Sequence, residues 1–145
     1  MKSNTTWRCR PEIAAFSDSI FDAGWNFGKT ESKNHTATDH DGVFLVSPEH
    51  VTAYVGRFRP QCLRYSANSG KGYELDFMNF KVAKGLTRER VLIVPTEPIK
   101  GFVKKGAALE ASSASSLYVA VTRATQSVSI VIDAAGNSQI PYWVP

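Results

Sequence analysis

The stretch over residues 113–133 constrains the fold most, because its apolar period changes from helical to strand-like within a few residues. Its first half predicts a helix with one apolar face, since apolar residues recur at the i, i+3, i+4 and i+7 positions Leu117, Ala120, Val121 and Ala124. From Ser127 onward a β-branched run predicts a buried strand. Arg123 falls outside the apolar stripe near the join, so its side chain is predicted to point off the packed face. A solvated arginine that stabilises a helix C-terminus is the alternative interpretation.

The same segment carries a recognisable motif. Residues 118–124 read YVAVTRA and resemble the motif written YVAxTRA in superfamily 1 DNA helicases of the UvrD/Rep type. In that family the arginine reaches across a cleft between two RecA-like motor domains and touches the γ-phosphate of ATP. The resemblance implies a catalytic and nucleotide-binding role for Arg123.

A second motif lies near the start of the chain. Residues 6–13 read TWRCRPEI and resemble the helicase motif NYRSxxxI, with Trp in place of Tyr and Cys9 in place of Ser. In the family, the aromatic residue packs by the nucleotide base and the arginine contacts the γ-phosphate. The resemblance implies nucleotide binding by Trp7 and Arg8, and a catalytic role for Arg8. The pair precedes a helix predicted over residues 11–22, whose N-terminus favours an anion, whereas a tryptophan taken alone is most often a core residue.

A third motif lies between strands predicted over residues 73–82 and 90–94. The Lys-Gly-Leu at 84–86 resembles the helicase motif HSxKGLEF, which contacts the backbone of single-stranded DNA and couples it to the nucleotide. The resemblance implies DNA contacts by Lys81, Lys84 and Gly85, with Lys81 standing where the family has histidine. Thr87 stands where a glutamate commonly touches the ATP ribose, which makes it a nucleotide-binding position. Without the resemblance, these lysines are ordinary solvated turn residues.

Two other patterns suggest sites and are rejected. Residues 24–30 end in GKT, but three residues separate the glycines where a phosphate-binding loop needs four, so we predict a connecting loop over about residues 24–42. The only three histidines in the sequence are His35, His40 and His50; His40 with Asp41 could begin a metal site, but no third ligand stands at metal-site spacing. We therefore expect solvated histidines and no metal site.

The remaining pattern predicts an alternation of strands and helices. A strand at 43–46 precedes a helix capped by Ser47, and a strand over 61–65 follows, which is typical of a βαβ unit. A short helix is predicted over 97–105, ended by Gly106. The C-terminal tail over about 134–145 ends in an apolar stretch over 140–145, which is expected to dock on the body or on an absent partner. We predict one α/β domain over residues 1–145, with the RecA-like three-layer architecture of a mainly parallel sheet flanked by helices.

Composition excludes few classes. The chain has 145 residues, a formal net charge of +4 and a pI near 9.2, which permits polyanion binding without requiring it. Two cysteines without CxxC spacing favour reduced thiols, and no apolar run is long enough to span a bilayer. We expect a cytoplasmic protein with no membrane partner.

The three motifs occur in the family's order, and all belong to the second motor domain. The resemblance implies a domain that supplies arginine fingers to ATP and Mg²⁺ held by an N-terminal RecA-like domain, and that contacts single-stranded DNA. The chain alone is then not expected to hydrolyse ATP, because the phosphate cradle and the metal ligand belong to the other domain. A non-catalytic, helicase-derived module that binds nucleic acid or a protein is the alternative. The departures at Lys81 and Thr87 favour this alternative, and the survival of both arginine motifs favours the motor domain.

Overall fold

Strands and helices alternate along most of the chain. The structure, a computed structural model, describes residues 5–6, 9–20, 31–32, 34, 37–38, 40–64, 77–79, 88–106, 109–133, 136, 138 and 140–145. The elements in these ranges are β1 (Thr5–Thr6), α1 (Pro11–Ile20), β2 (Glu31–Ser32), β3 (Gly42–Val46), α2 (Val51–Phe58), β4 (Gln61–Arg64), β5 (Phe77–Asn79), β6 (Arg88–Val94), α3 (Glu97–Lys105), α4 (Ala111–Val121), β7 (Ala124–Val131) and β8 (Tyr142–Trp143).

The main sheet has six strands in the order β5-β4-β6-β7-β3-β8, and each neighbouring pair is parallel. The four residues that end β6, Val91 to Val94, are all buried, because a central parallel strand is covered on both faces. The crossovers between parallel strands place helices on the faces of the sheet. Together these features confirm the predicted α/β architecture.

Two apolar clusters identify the layers on either side of the sheet. Val91 and Ile93 of β6 belong to a core that also contains residues of α1, α3 and α4. Leu92 and Val94, which point the other way, belong to a smaller core with residues of α2. The domain therefore has three layers, with α2 alone on one face among the described helices.

The junction between α4 and β7 differs from the prediction. The helix ends at Val121 and the strand begins at Ala124, three residues before the predicted start, so Arg123 lies in the turn. The Thr122 hydroxyl donates to the carbonyl of Tyr118 at 2.7 Å, within the last helical turn. Ala124 is fully buried in the same core as the helix stripe. The apolar period therefore continues across the junction, so the sequence pattern does not show where helix α4 ends and strand β7 begins.

The helix ends match their predictions to different degrees. Helix α3 has the predicted bounds, with the Thr96 side chain accepting from the Ile99 N–H at 3.5 Å and Gly106 in the left-handed conformation at φ 70°. The predicted cap at Ser47 is wrong: its side chain makes no capping hydrogen bond, and its hydroxyl donates to Glu49 at 3.4 Å. A 3₁₀ turn over Pro48–His50 precedes α2 instead.

The apolar tail packs on the body, as predicted. Strand β8 pairs with β3, and the Trp143 ring meets the ring of Tyr54 edge to face at a centroid distance of 5.1 Å. The Tyr142 hydroxyl donates to the carbonyl of Ile132 at 3.0 Å. The tail therefore adds an edge strand to the sheet.

Two further observations concern the predicted loop and the surface. The loop predicted over about residues 24–42 is interrupted, because Glu31–Ser32 pairs in parallel with Thr5–Thr6; a two-residue strand is too short to leave a periodic signal. The rejected GKT segment over residues 24–30 lies outside the described residues. Within the described ranges, no helix is both long and apolar enough to cross a bilayer.

Candidate functional site

The amino-terminal ends of the sheet strands bring described parts of the first two predicted motifs together. We call this side of the sheet the amino edge, defined by the first residues of β3, β4, β6 and β7. Arg88 at the start of β6 pairs with Ala124 at the start of β7. The Arg88 N–H donates to the carbonyl of Arg123 at 2.8 Å. The arginine turn is thereby attached to the first residue of β6.

The segment that carries the first motif packs against the same turn. The Cys9 thiol, 3% exposed, donates to the carbonyl of Thr122 with a sulfur–oxygen distance of 3.6 Å. The Arg10 N–H donates to the carbonyl of Thr125 at 3.0 Å. Residues on both sides of Arg123 therefore contact the segment that directly follows Arg8. Trp7 and Arg8 themselves lie outside the described residues.

Arg123 is held by the end of α4. Its Nε donates to the carbonyl of Val119 at 3.0 Å, and its Nη2 donates to the Thr122 hydroxyl at 3.3 Å. The Val119 carbonyl is one of the last four of the helix, which lack an intrahelical N–H partner. The side chain is half-buried at the surface of the amino edge. A guanidinium with its Nε fixed in this way presents a planar fork whose geometry suits a phosphate.

Arg10 adds positive charge at this edge. Its guanidinium forms an ion pair with Glu12 at 3.1 Å. The hydrogen bond from Arg10 to Glu12 raises the pKa of the arginine further, so it is charged at any working pH. The carboxylate of Glu12 offsets part of the field that Arg10 contributes to the edge.

The third motif is represented only by its flanks. Strand β5 ends at Asn79 and β6 begins at Arg88, while Lys81, Lys84, Gly85 and Thr87 lie outside the described residues. Because β4 pairs in parallel with both strands, Asn79 lies at the carboxyl side of the sheet and Arg88 at the amino edge.

The opposite side of the sheet, where the strands end, is different in character. Lys104 of α3 forms an ion pair with Asp133 at 3.0 Å, just beyond the end of β7. The Asp133 carboxylate is therefore paired with a lysine at this end of the sheet. A methyl group at Gly136, where φ is 59°, would lie only 3.0 Å from the Lys104 backbone, so this turn requires glycine.

A buried polar cluster at the amino edge was not predicted. His40, expected to be solvated, is 5% exposed and lies between the rings of Phe44 and Phe58, at 4.1 Å from each centroid. The Ser129 hydroxyl donates to the Tyr54 oxygen at 2.5 Å, and the Tyr54 oxygen is hydrogen-bonded to Nε2 of His40 at 2.8 Å. His40 is therefore a hydrogen-bonded core residue.

Arg90 joins this cluster to the strands. One of its terminal nitrogens donates to the carbonyl of His40 and to the Ser127 hydroxyl, the latter at 3.2 Å. The other donates to the Thr38 hydroxyl at 3.1 Å, and the guanidinium carbon lies 5.2 Å from the centroid of Phe58. Arg90 therefore helps to hold this region together. No local sequence pattern indicated this role, because its side-chain hydrogen-bond partners are 37 to 52 residues away in the chain.

Burial and the nearby cation keep His40 neutral. Desolvation, with the charge of Arg90 adding to it, lowers the pKa of His40 from 6.5 to about 4. Among the described residues, no three His, Cys, Asp or Glu side chains are grouped so as to hold a metal ion.

Acidification is expected to destabilise the fold through His40. The unfolded chain binds the proton near pH 6.5 and the folded chain only near pH 4, so stability is full above the first value and is lost as pH falls toward the second. The free energy of unfolding should fall by about 2 kcal/mol between about pH 7.5 and pH 5. Urea unfolding followed by tryptophan fluorescence measures it. In His40→Phe this pH dependence should largely vanish, and an unchanged slope would contradict the account.

Comparison with known proteins gives a fold assignment. No protein-family profile and no curated protein sequence matches the chain. Among solved structures, PRRSV nsp10 (helicase) is similar at 18% identity and a TM-score of 0.46, and its methylated form at 17% and 0.46. These alignments cover 88% and 89% of this chain, which spans 23% of the length of either nsp10 structure.

A third solved structure is similar over most of its length. The C-terminal domain of a possible DNA helicase from Lactobacillus plantarum WCFS1 has a TM-score of 0.53 at 14% identity, covering 92% of this chain and 91% of that domain. At this identity the similarity concerns the fold alone. The chain therefore has a RecA-like, helicase-like α/β fold.

Proposed function

We propose that this chain is the second motor domain of an ATP-dependent DNA helicase of the UvrD/Rep type. Arg123 and Arg8 contact the γ-phosphate of ATP, which an N-terminal RecA-like domain holds together with Mg²⁺. Trp7 packs by the base, and Thr87 lies at the ribose. Lys81, Lys84 and Gly85 contact single-stranded DNA.

One observation supports this proposal more than any other. The segment that follows Arg8 contacts Thr122 and Thr125, on either side of Arg123, although more than a hundred residues separate the two motifs. Folding alone does not require that two arginine motifs lie at the amino edge of the sheet. Two arginines directed at one γ-phosphate require this proximity.

The expected chemistry is electrostatic. Charge spreads over the oxygens of the transferred phosphoryl group in the transition state, and a guanidinium placed there stabilises that charge. The arginines belong to a domain separate from the one that holds ATP, so they reach the phosphate only when the cleft closes. Hydrolysis releases the γ-phosphate and with it the contact, which allows the cleft to open. Each cycle would then move the two domains relative to each other along the DNA.

The DNA-binding part of the proposal is tested by titrating single-stranded DNA into the isolated chain at low salt. Backbone amide shifts are expected at Lys81, Lys84 and Gly85, and they should fade as salt is added. Shifts elsewhere or none would contradict this assignment and favour the alternative of a partner-binding module.

A matched pair of variants sharpens the titration. Replacing Lys81 and Lys84 with alanine should weaken binding and reduce the salt slope by about 1.4, at about 0.7 for each lost phosphate contact. Replacing Lys104 and Lys105 on α3 with alanine removes the same charge elsewhere and should leave the slope unchanged. Equal effects of the two double variants would show that only net charge matters.

A further inference from the structure

A buried amide lies three residues beyond the arginine turn. Gln126, on β7, is 4% exposed, and both ends of its side-chain amide are bonded. Its Nε2 donates to Oδ1 of Asp41 at 3.0 Å, and its Oε1 accepts from Nδ2 of Asn34 at 3.2 Å. Burying an amide costs free energy that burying an apolar side chain would not. Packing alone therefore does not account for a glutamine here.

The amide network also holds the segment that follows Arg8. Nδ2 of Asn34 donates to the carbonyl of Thr125 at 3.1 Å, and the same carbonyl accepts from the Arg10 N–H at 3.0 Å. One carbonyl of β7 thus joins the first motif to the chain that carries the second. Gln126 fixes the side chain of Asn34 and so fixes this junction.

Asp41 is the anchor of the network. Its carboxylate accepts from the Thr38 backbone N–H at 2.5 Å, from the Thr38 hydroxyl and from Gln126. Burial alone would raise the pKa of Asp41, but the bonds from Thr38 and Gln126 and the charge of Arg10 lower it below its usual value. The carboxylate is therefore ionised, and it precedes Gly42, whose φ of 115° favours glycine at the entry to β3.

We propose that Gln126 and Asp41 are positioning residues that hold the two arginine-bearing segments in fixed register at the amino edge. Removing the amide releases Asn34 from the Thr125 carbonyl, and the start of β7 then moves relative to Arg10. Arg123, which precedes this part of β7 by two residues, loses its defined orientation on the end of α4. The positioning of Arg123 stands without the proposed function; only the contact of Arg123 with the γ-phosphate of ATP rests on that proposal.

The test reads the Arg123 side chain directly, without nucleotide. In the folded chain the Nε–H of Arg123 donates to the Val119 carbonyl, so its nitrogen resonance should be resolved and its proton should exchange slowly. In Gln126→Leu we expect the resonance to shift and the exchange rate to rise about tenfold or more, because the local free energy of opening falls. Unchanged exchange in a folded Gln126→Leu variant would overturn the proposal.

Two further variants separate positioning from a loss of stability. Ser129→Ala removes a buried hydrogen bond from the same strand, to Tyr54, and should lower the unfolding temperature while leaving the Arg123 resonance unchanged. Gln126→Glu sets two carboxylates against each other and should disturb the resonance, whereas adding Asp41→Asn should restore part of it. If Ser129→Ala disturbs Arg123 as much as Gln126→Leu does, the network has only a structural role. Neither result depends on ATP, so a failure here is distinct from a failure of the proposed function.

Discussion

Under the proposed function, replacing Arg123 with alanine in an enzyme that joins this chain to an N-terminal motor domain is expected to lower the rate of ATP turnover about 10³–10⁵-fold. An arginine finger is worth this much because it stabilises charge that develops in the transition state. The fold should survive, since the side chain is half-buried in a surface turn and does not belong to the apolar core. Steady-state ATPase assays in the presence of single-stranded DNA measure the effect.

Two controls accompany this variant. Arg57→Ala removes an exposed arginine from α2, on the other face of the sheet, and should leave turnover within about twofold of the parent. Arg123→Lys keeps the charge but loses the fork, so it should restore only part of the rate. If Arg123→Ala itself stays within about twofold, the finger assignment is wrong.

Replacing Leu117 with alanine should lower the free energy of unfolding by about 3–5 kcal/mol. Its side chain is fully buried in the core shared by α1, α3 and α4, and truncation leaves a cavity that this core fills only in part. Chemical denaturation of the isolated chain measures the loss. A change below about 1 kcal/mol would contradict the packing described for α4.

The neighbouring residue supplies the matched control. Tyr118 is 38% exposed on the same helix, and Tyr118→Ala should cost clearly less than Leu117→Ala. The reverse order would mean that α4 presents a different face to the sheet, and the position of Arg123 at its end would change with it.

The fold was largely predictable because its signals are local. The βαβ pattern, the bounds of α3 and the burial of β6 and β7 follow from apolar period, caps and breakers within short windows. The start of β7 was not predictable, because Ala124 is buried in the core of the preceding helix and extends its apolar stripe. This difference of three residues at the start of β7 matters, because it places Arg123 in a turn and not in the helix.

The candidate site was predictable only in part. Motif resemblance identified the arginine segments, and the structure adds their proximity through Cys9 and Arg10, which no sequence pattern indicated. The cluster around His40 and the network of Gln126 were both missed, because the members of each lie far apart in the chain. His40 and Ser129 contact through Tyr54, and Gln126 contacts Asp41 across 85 residues. Such polar contacts have no period and leave no signal in a single sequence.

The proposed function requires that this chain closes on ATP held by another motor domain. Its most direct test is the affinity between the chain and a first motor domain with a Walker A loop, measured by calorimetry with and without a Mg²⁺–ATP analogue. Binding should be at least about tenfold tighter with the nucleotide, which corresponds to about 1.4 kcal/mol of coupling. Arg123→Ala in the chain should abolish the difference. Equal affinity in both conditions would contradict the claim and leave a helicase-like fold without a motor role.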